Sequence, residues 1–374
     1  MSSPNILCDA VAFGYGPIGK LLTVRNHLPG HYKFTLLATR GSYELGRLSS
    51  SDRIILCDTE EAKELDKVRA EFLATDLFIN IMNPVSADYA HSLRVPMVHI
   101  DSLFWMWDSL PTSLAEADLY FIQNFVGVDT QLTKLAVSSP TVVGAIVDFR
   151  YKNCLKKKQL LVNFGGIRSK LIQPGINSRY PIILSKILEE ALRQHQFDRV
   201  LFTGDSETMS LFAQSLSIPR CYFGVLPHDE FLVELSQSTL LITSPGLTTT
   251  YEAFAYTVPV VFLPPQNFSQ FLILKRLRTE DAAPYSFHWL DFIPEMDMEV
   301  GIPEHIGVDR VLNCIQLFEE DSNAQKLLKQ ILGQALNLDA TDLHRLVELQ
   351  RRFIDKYGFE GAKDIANQIV KIFE

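Results

Sequence analysis

Short, continuous apolar runs alternate with amphipathic stretches along most of the chain. In the first half the runs fall at residues 6–12, 34–38, 53–57, 76–81, 95–100 and 141–146. Each is too short for a globular helix and does not alternate with polar residues, the pattern of a strand covered on both faces. Segments of helical spacing lie between them, among them 21–28 and a charged one at 59–73. The second half restarts at 160–163 and continues with strand-like runs at 199–203, 220–225, 240–242 and 260–263. Helical stretches at 181–194, 231–237 and 247–256 separate these runs, and amphipathic helices dominate from residue 339 onward. Such an order predicts an α/β fold with doubly wound parallel sheets, whose ligands bind beyond the carboxyl ends of the strands. Residues 149–159 hold four lysines and an arginine and read as a solvated connection. The predicted organisation is an N-terminal domain over 1–150, a linker over 151–158 and a C-terminal domain over 159–374.

The chemistry concentrates in residues 240–270, LLITSPGLTTTYEAFAYTVPVVFLPPQNFSQ. An apolar strand breaks at Ser244-Pro245-Gly246, a helix follows, and a second strand begins after Pro259, which together make a parallel crossover. Gly246 lets a ligand approach the backbone, and the first amides of the helix, from Leu247 to Thr249, point at an anion. Thr248 and Thr249 add hydroxyls without charge, and the Glu252 carboxylate can accept hydrogen bonds from a ribose diol. The same pattern also describes an ordinary crossover with a threonine-rich first turn. In the first half, Gly14, Gly16 and Gly19 form a G-x-G-x-x-G at a strand-to-helix junction, which is the signature of a dinucleotide site. The next strand ends in Thr39-Arg40-Gly41 instead of an acidic residue, so that site would suit only a 2′-phosphate. Gly16, Ile18, Asn80 and Asn83 follow strand ends and are candidate acceptor contacts. Trp105 and Trp107 lie between Asp101 and Asp108; their rings can stack on an acceptor, and Asp101 is the candidate catalytic base. The alternative is that both indoles are core residues and Asp101 caps the segment after it.

The 240–270 stretch resembles the donor site of GT-B glycosyltransferases. The similarity is strongest to the branch with the lipid II N-acetylglucosaminyltransferase and the UDP-sugar-dependent natural-product enzymes, with a fainter similarity to cytosylglucuronate synthases. Gly246, Thr248, Thr249, Glu252, Pro259, Pro264 and the loop from Gln266 to Gln270 carry it. The resemblance implies two Rossmann-like domains facing a cleft, a UDP-sugar co-substrate, no other cofactor, no metal and inversion at the anomeric carbon. It also implies diphosphate contacts at Gly165 and Gly166, and uracil recognition by the backbone of Val225 and Leu226. Arg168 would neutralise phosphate charge, unless it is simply a loop arginine. Gln266 and Gln270 would face the sugar. Relatives often place an acidic residue before the second glutamine, where this chain has Ser269, so the resemblance does not carry over the sugar's identity.

Composition narrows the partners. A net charge of −9 argues against nucleic acid, and no apolar run approaches the length of a membrane span. Five scattered cysteines without metal-ligand spacing fit a reduced, cytoplasmic setting and no metal site. The expected partners are a nucleotide-sugar and a small-molecule acceptor. A GT-B nucleotide-sugar epimerase, an NADP-dependent oxidoreductase and a non-catalytic nucleotide-sugar-binding protein are the alternatives.

Overall fold

Each predicted apolar run forms a strand in the computed structural model, which describes residues 3–49, 52–166, 179–193 and 195–374. The first half contains β1 (Asn5–Ala10), β2 (Lys33–Ala38), β3 (Arg53–Leu56), β4 (Leu77–Ile81), β5 (Met97–Asp101), β6 (Leu119–Gln123) and β7 (Pro140–Val143). They make one parallel sheet in the order β3-β2-β1-β4-β5-β6-β7. Only β6 was not anticipated. The second half contains β8 (Gln159–Asn163), β9 (Arg199–Thr203), β10 (Cys221–Gly224), β11 (Leu240–Thr243) and β12 (Val260–Phe262). These form a second parallel sheet in the order β10-β9-β8-β11-β12. Central strands such as β4, β5, β8 and β11 are buried at every residue, whereas the edge strand β3 is open at both ends. That difference explains why the central runs are continuous in sequence.

Helix boundaries move for local reasons. The first helix spans Gly16–His27 and starts before residue 21, because Pro17 fits its opening turn, where no N–H is needed. The stretch 59–73 splits into Ala62–Lys67 and Arg69–Leu73, with Val68 leaving helical geometry between them.

The first unit comprises Met1–Asp148 and Tyr357–Glu374, and the second Phe149–Lys356. The closing segment therefore belongs to the first unit and not, as the division at 158 assumed, to the second. Helix Gly361–Ile372 buries Ala362, Ile365, Ala366 and Ile369 against Ile18, Leu22, Ile79 and Ile100 on one face of the first sheet. Its start is stitched to the exit of β7, with Ala145 N–H donating to Gly358 O at 2.9 Å and Gly361 N–H to Ala145 O at 3.1 Å. Gly144, Gly358 and Gly361 make this approach possible. A Cβ at Gly144 would lie 2.6 Å from the Gly358 carbonyl carbon, one at Gly361 would strike the Gly144 carbonyl oxygen, and Gly358 has φ of +80°.

In the second unit, β12 has its outer edge occupied. Gln350, on the helix Ala340–Tyr357, accepts from Val260 N–H and donates to Val260 O, both at 3.0 Å. Two residues along, Phe262 bonds to Tyr285 O and Phe287 N–H. These contacts complete an edge that would otherwise leave polar backbone unpaired. Among the described residues no helix is long and apolar enough to cross a membrane.

Two variants test these joints. Gly361→Ala should lower the stability of the first unit by about 3 kcal/mol through overpacking. Hydrogen exchange would show lost protection over residues 361–372. Gln350→Leu should cost about 2 kcal/mol, because the Val260 amide and carbonyl lose their partners. A thermal midpoint unchanged from wild type would refute that account.

Candidate functional site

In an open parallel sheet a crevice forms where the strand order reverses, since chains leaving adjacent strands depart to opposite faces. In the second unit the reversal lies between β8 and β11. Asn163 and Thr243, the last residues of these strands, are register partners. Asn163 ties the two exits together: its Oδ1 accepts from Gly165 N–H at 3.0 Å, and its Nδ2 donates to Thr249 Oγ1 at 3.3 Å. The Thr243 hydroxyl donates to Asn163 O at 2.9 Å. Gly165 has φ of +60°, a conformation that favours glycine. Gly246, at φ of −79°, is not required by its backbone conformation. A Cβ at either glycine would meet none of the described residues within 4 Å, which leaves room there for a ligand's approach.

The helix Leu247–Ala255 begins at this opening. Its hydrogen-bond ladder starts with Thr250 N–H donating to Gly246 O at 3.0 Å. The amides of Leu247, Thr248 and Thr249 precede that first rung, at the positive end of the helix dipole. The Thr250 hydroxyl turns back onto Gly246 O, so it contributes nothing to the opening.

A third exit is anchored from behind. Tyr180 donates its hydroxyl to Pro264 O at 2.5 Å, and Trp289 donates its indole N–H to Pro265 O at 2.8 Å. Gln266 is buried; its Nε2 donates to Ser244 Oγ and, at 3.4 Å, to Phe164 O. Its backbone N–H is accepted by Gln270 Oε1 at 2.9 Å. Gln266 therefore joins the exits of β8, β11 and β12, and its side-chain amide is directed inward instead of toward a sugar. Val225 and Leu226 follow β10 and are partly exposed. Glu252 is buried and bonded to His228 at 2.9 Å. Gly166 is partly exposed beside Gly165, while Arg168 lies outside the described residues. Asn163, Ser244, Tyr180 and Trp289 escaped the sequence reading; a single polar residue ending an apolar run was the signal available for Asn163.

The first sheet carries a different arrangement. Asp9, Asn80, His99 and Tyr120 are successive register partners across β1, β4, β5 and β6, on the face opposite the apolar packing of Cys8, Ile79, Val98 and Phe121. The Asp9 carboxylate accepts from Asn80 Nδ2 at 3.1 Å, and from Asn83 Nδ2 and Ser86 Oγ, each at 2.7 Å. Asn80 Nδ2 faces only acceptors, so its Oδ1 accepts the 2.6 Å bond from His99 Nδ1–H. Asp101 Oδ1 accepts from Leu103 N–H at 2.7 Å, and Oδ2 accepts from Trp107 Nε1–H at 2.7 Å and from the Tyr120 hydroxyl at 2.8 Å.

This geometry corrects several expectations. Ile18, Asn80, Asn83 and Trp105 are at most 1 % exposed. They form part of the interior of the unit in this structure. Trp105 packs on Phe125. Asp101 has no exposed surface, and both its oxygens hold protein donors, so it acts as a cap and packing group. Of the expected acceptor contacts only Gly16, the first helical residue, and Trp107 retain surface.

No family model and no curated protein matches the chain. Solved structures do. A putative UDP-N-acetylglucosamine 2-epimerase from Listeria monocytogenes superposes with a TM-score of 0.57 at 12% identity, over 99% of this chain and 95% of its own. UGT89C1 of Arabidopsis thaliana, complexed with UDP-L-rhamnose, gives 0.56 at 13% identity over 99% of each chain. MnaA of S. aureus, with UDP, gives 0.51 at 14% identity over 94% and 97%. The fold is GT-B. At such identities the likeness speaks for architecture alone.

The buried groups of this GT-B chain's first unit set a pH dependence. Burial raises Asp9 to about 7, against the hydrogen bonds that pull it down, and raises Asp101 to about 6. Both bind protons that the unfolded chain releases, so their contribution to stability is present at low pH and lost as pH rises through 6 and 7. Burial holds His99 down at about 3, which works the other way: its contribution is present above its ordinary value and lost as pH falls below it. Asp9→Asn should therefore flatten the loss of stability between about pH 4 and about pH 7. Urea denaturation across that range reads the slope; a slope equal to wild type would mean that Asp9 is already ionised in the folded state.

Proposed function

We propose that the chain is a glycosyltransferase that takes its sugar from a uridine-diphosphate donor bound at the ends of β8 and β11, and passes it to a small-molecule acceptor. The observation that carries this reading is the convergence of two open glycine turns with a helix N-terminus. Between β8 and residue 166, and between β11 and Glu252, the chain presents no carboxylate, and neither does the turn after β12 through Asn267. Hydroxyls, amides and backbone N–H groups line these exits, which suits an anion rather than a cation.

Chemically, the bond between the anomeric carbon and the β-phosphate oxygen breaks as the acceptor's oxygen or nitrogen bonds to that carbon from the opposite face. The acceptor releases its proton to solvent water and the diphosphate leaves with added negative charge. The amides of Leu247 to Thr249 and the turn at Gly165 and Gly166 stabilise that charge as it develops. Glu252 accepts from the ribose, and Val225 and Leu226 read the base through their backbone. Asp101 is not assigned the acceptor's proton, because its oxygens are already committed. UDP in the MnaA structure and UDP-L-rhamnose in that of UGT89C1 support a uridine-diphosphate ligand. The epimerase likeness keeps sugar inversion without an acceptor as the second reading.

Thermal melting with UDP, UDP-glucose, UDP-N-acetylglucosamine, UDP-glucuronate and NADP tests the site. A ligand at a hundredfold excess over its dissociation constant should stabilise by about 2.7 kcal/mol. Thr249→Val should weaken UDP binding about tenfold, the worth of one hydrogen bond to a charged group, and should also lower the unliganded midpoint slightly, because Asn163 Nδ2 loses this acceptor. Stabilisation by NADP alone would move the site to Gly14–Gly19 and overturn the proposal. Conversion of a UDP-sugar to its epimer without acceptor would select the second reading.

A further inference from the structure

One buried hydrogen bond joins the connection that follows β10 to the helix that follows β11. His228 is the first residue of the helix His228–Gln237, two positions beyond Leu226, and Glu252 lies in the second turn of Leu247–Ala255. His228 Nε2 and Glu252 Oε1 are 2.9 Å apart, with side chains 6% and 2% exposed. An ionised carboxylate only accepts, so Nε2 carries the hydrogen. Among the described residues this is the sole hydrogen bond made by the Glu252 carboxylate, which leaves Oε2 without a protein donor.

A carboxylate on a rotatable side chain recognises a vicinal diol well only if its plane is fixed beforehand; otherwise ordering it on binding subtracts from affinity. From this geometry we infer that His228 is a positioning residue for ribose recognition. It holds Glu252 through Oε1 so that the carboxylate is presented to the ribose hydroxyls in one orientation. Because His228 also opens the helix after Val225 and Leu226, it keeps the base-reading backbone and the ribose-reading carboxylate in a constant relation. The inference rests on the donor site proposed above and adds to it the residue that makes the site select a ribonucleotide over a 2′-deoxyribonucleotide.

Calorimetric titration of the full chain with UDP and with 2′-deoxy-UDP tests this. Wild type should prefer UDP by about tenfold, one hydrogen bond to a charged acceptor. His228→Leu should lose about that factor for UDP and little for 2′-deoxy-UDP, which erases the preference. His228→Gln, whose amide nitrogen reaches the place of Nε2, should restore the preference. His228→Asn, whose shorter amide cannot reach, should not, and it provides the same readout if the leucine variant does not fold. Equal losses for both nucleotides, or a preference retained in His228→Asn, would show a merely structural role and overturn the inference while leaving the donor site standing. No binding of either nucleotide by wild type would remove the donor site itself, and the inference with it.

Discussion

The reversal of strand order within each parallel sheet is the constraint on which the rest of the structure depends. Parallel pairing requires long crossovers, and these cover both faces of the sheet. Buried faces leave only the strand ends available for chemistry, and the reversal point is the one place where two neighbouring exits diverge. In the second unit no described residue lies within 4 Å of a Cβ built at Gly165 or Gly246, and a helix begins beside them. In the first unit the equivalent point lies between β1 and β4, and a buried polar network stands beside it. Asp9, Asn80, Asn83 and Ser86 are bonded to one another and have no exposed surface.

The two solutions differ in what the polar groups are for. A buried carboxylate is costly unless donors surround it, and Asp9 and Asp101 are each surrounded. Their networks tie β1, β4, β5 and β6 together through side chains as well as through the backbone ladder. At the second reversal point the polar groups hold backbone instead. Asn163, Ser244, Tyr180, Trp289 and Gln266 fix three chain exits so that amides stay in place at the opening. Preorganised amides of this kind act on developing negative charge without reorganisation.

Covering of the sheet edges follows the same economy of polar groups. Gln350 stands in for a strand at Val260, with the segment 285–287 continuing the task at Phe262. The glycines at 144, 358 and 361 let the last helix of the chain return to the first sheet at backbone distance.

Strand-forming runs, the crossover order and the glycine-turn-to-helix unit at 240–270 were legible in the sequence, because they follow from local periodicity and turn chemistry. β6 was missed. So was the meaning of Asp9, Asn80 and His99, although each stands as one polar residue within an apolar run, a sign of lateral pairing across a sheet. Their partners lie 19 and 71 residues apart along the chain, and local pattern carries no information about such pairs. The same limit turned Asn80, Asn83, Trp105 and Asp101 from expected contacts into interior groups: sequence marks a residue as polar or aromatic, but neighbouring strands and helices decide whether it meets water. Local periodicity and turn chemistry suffice for the parallel α/β architecture and the anion-compatible helix start. The burial of the Asp9 network, the seat of the last helix on the first sheet and the hold of His228 on Glu252 came from the tertiary structure, because each is set by contacts between segments remote in the chain.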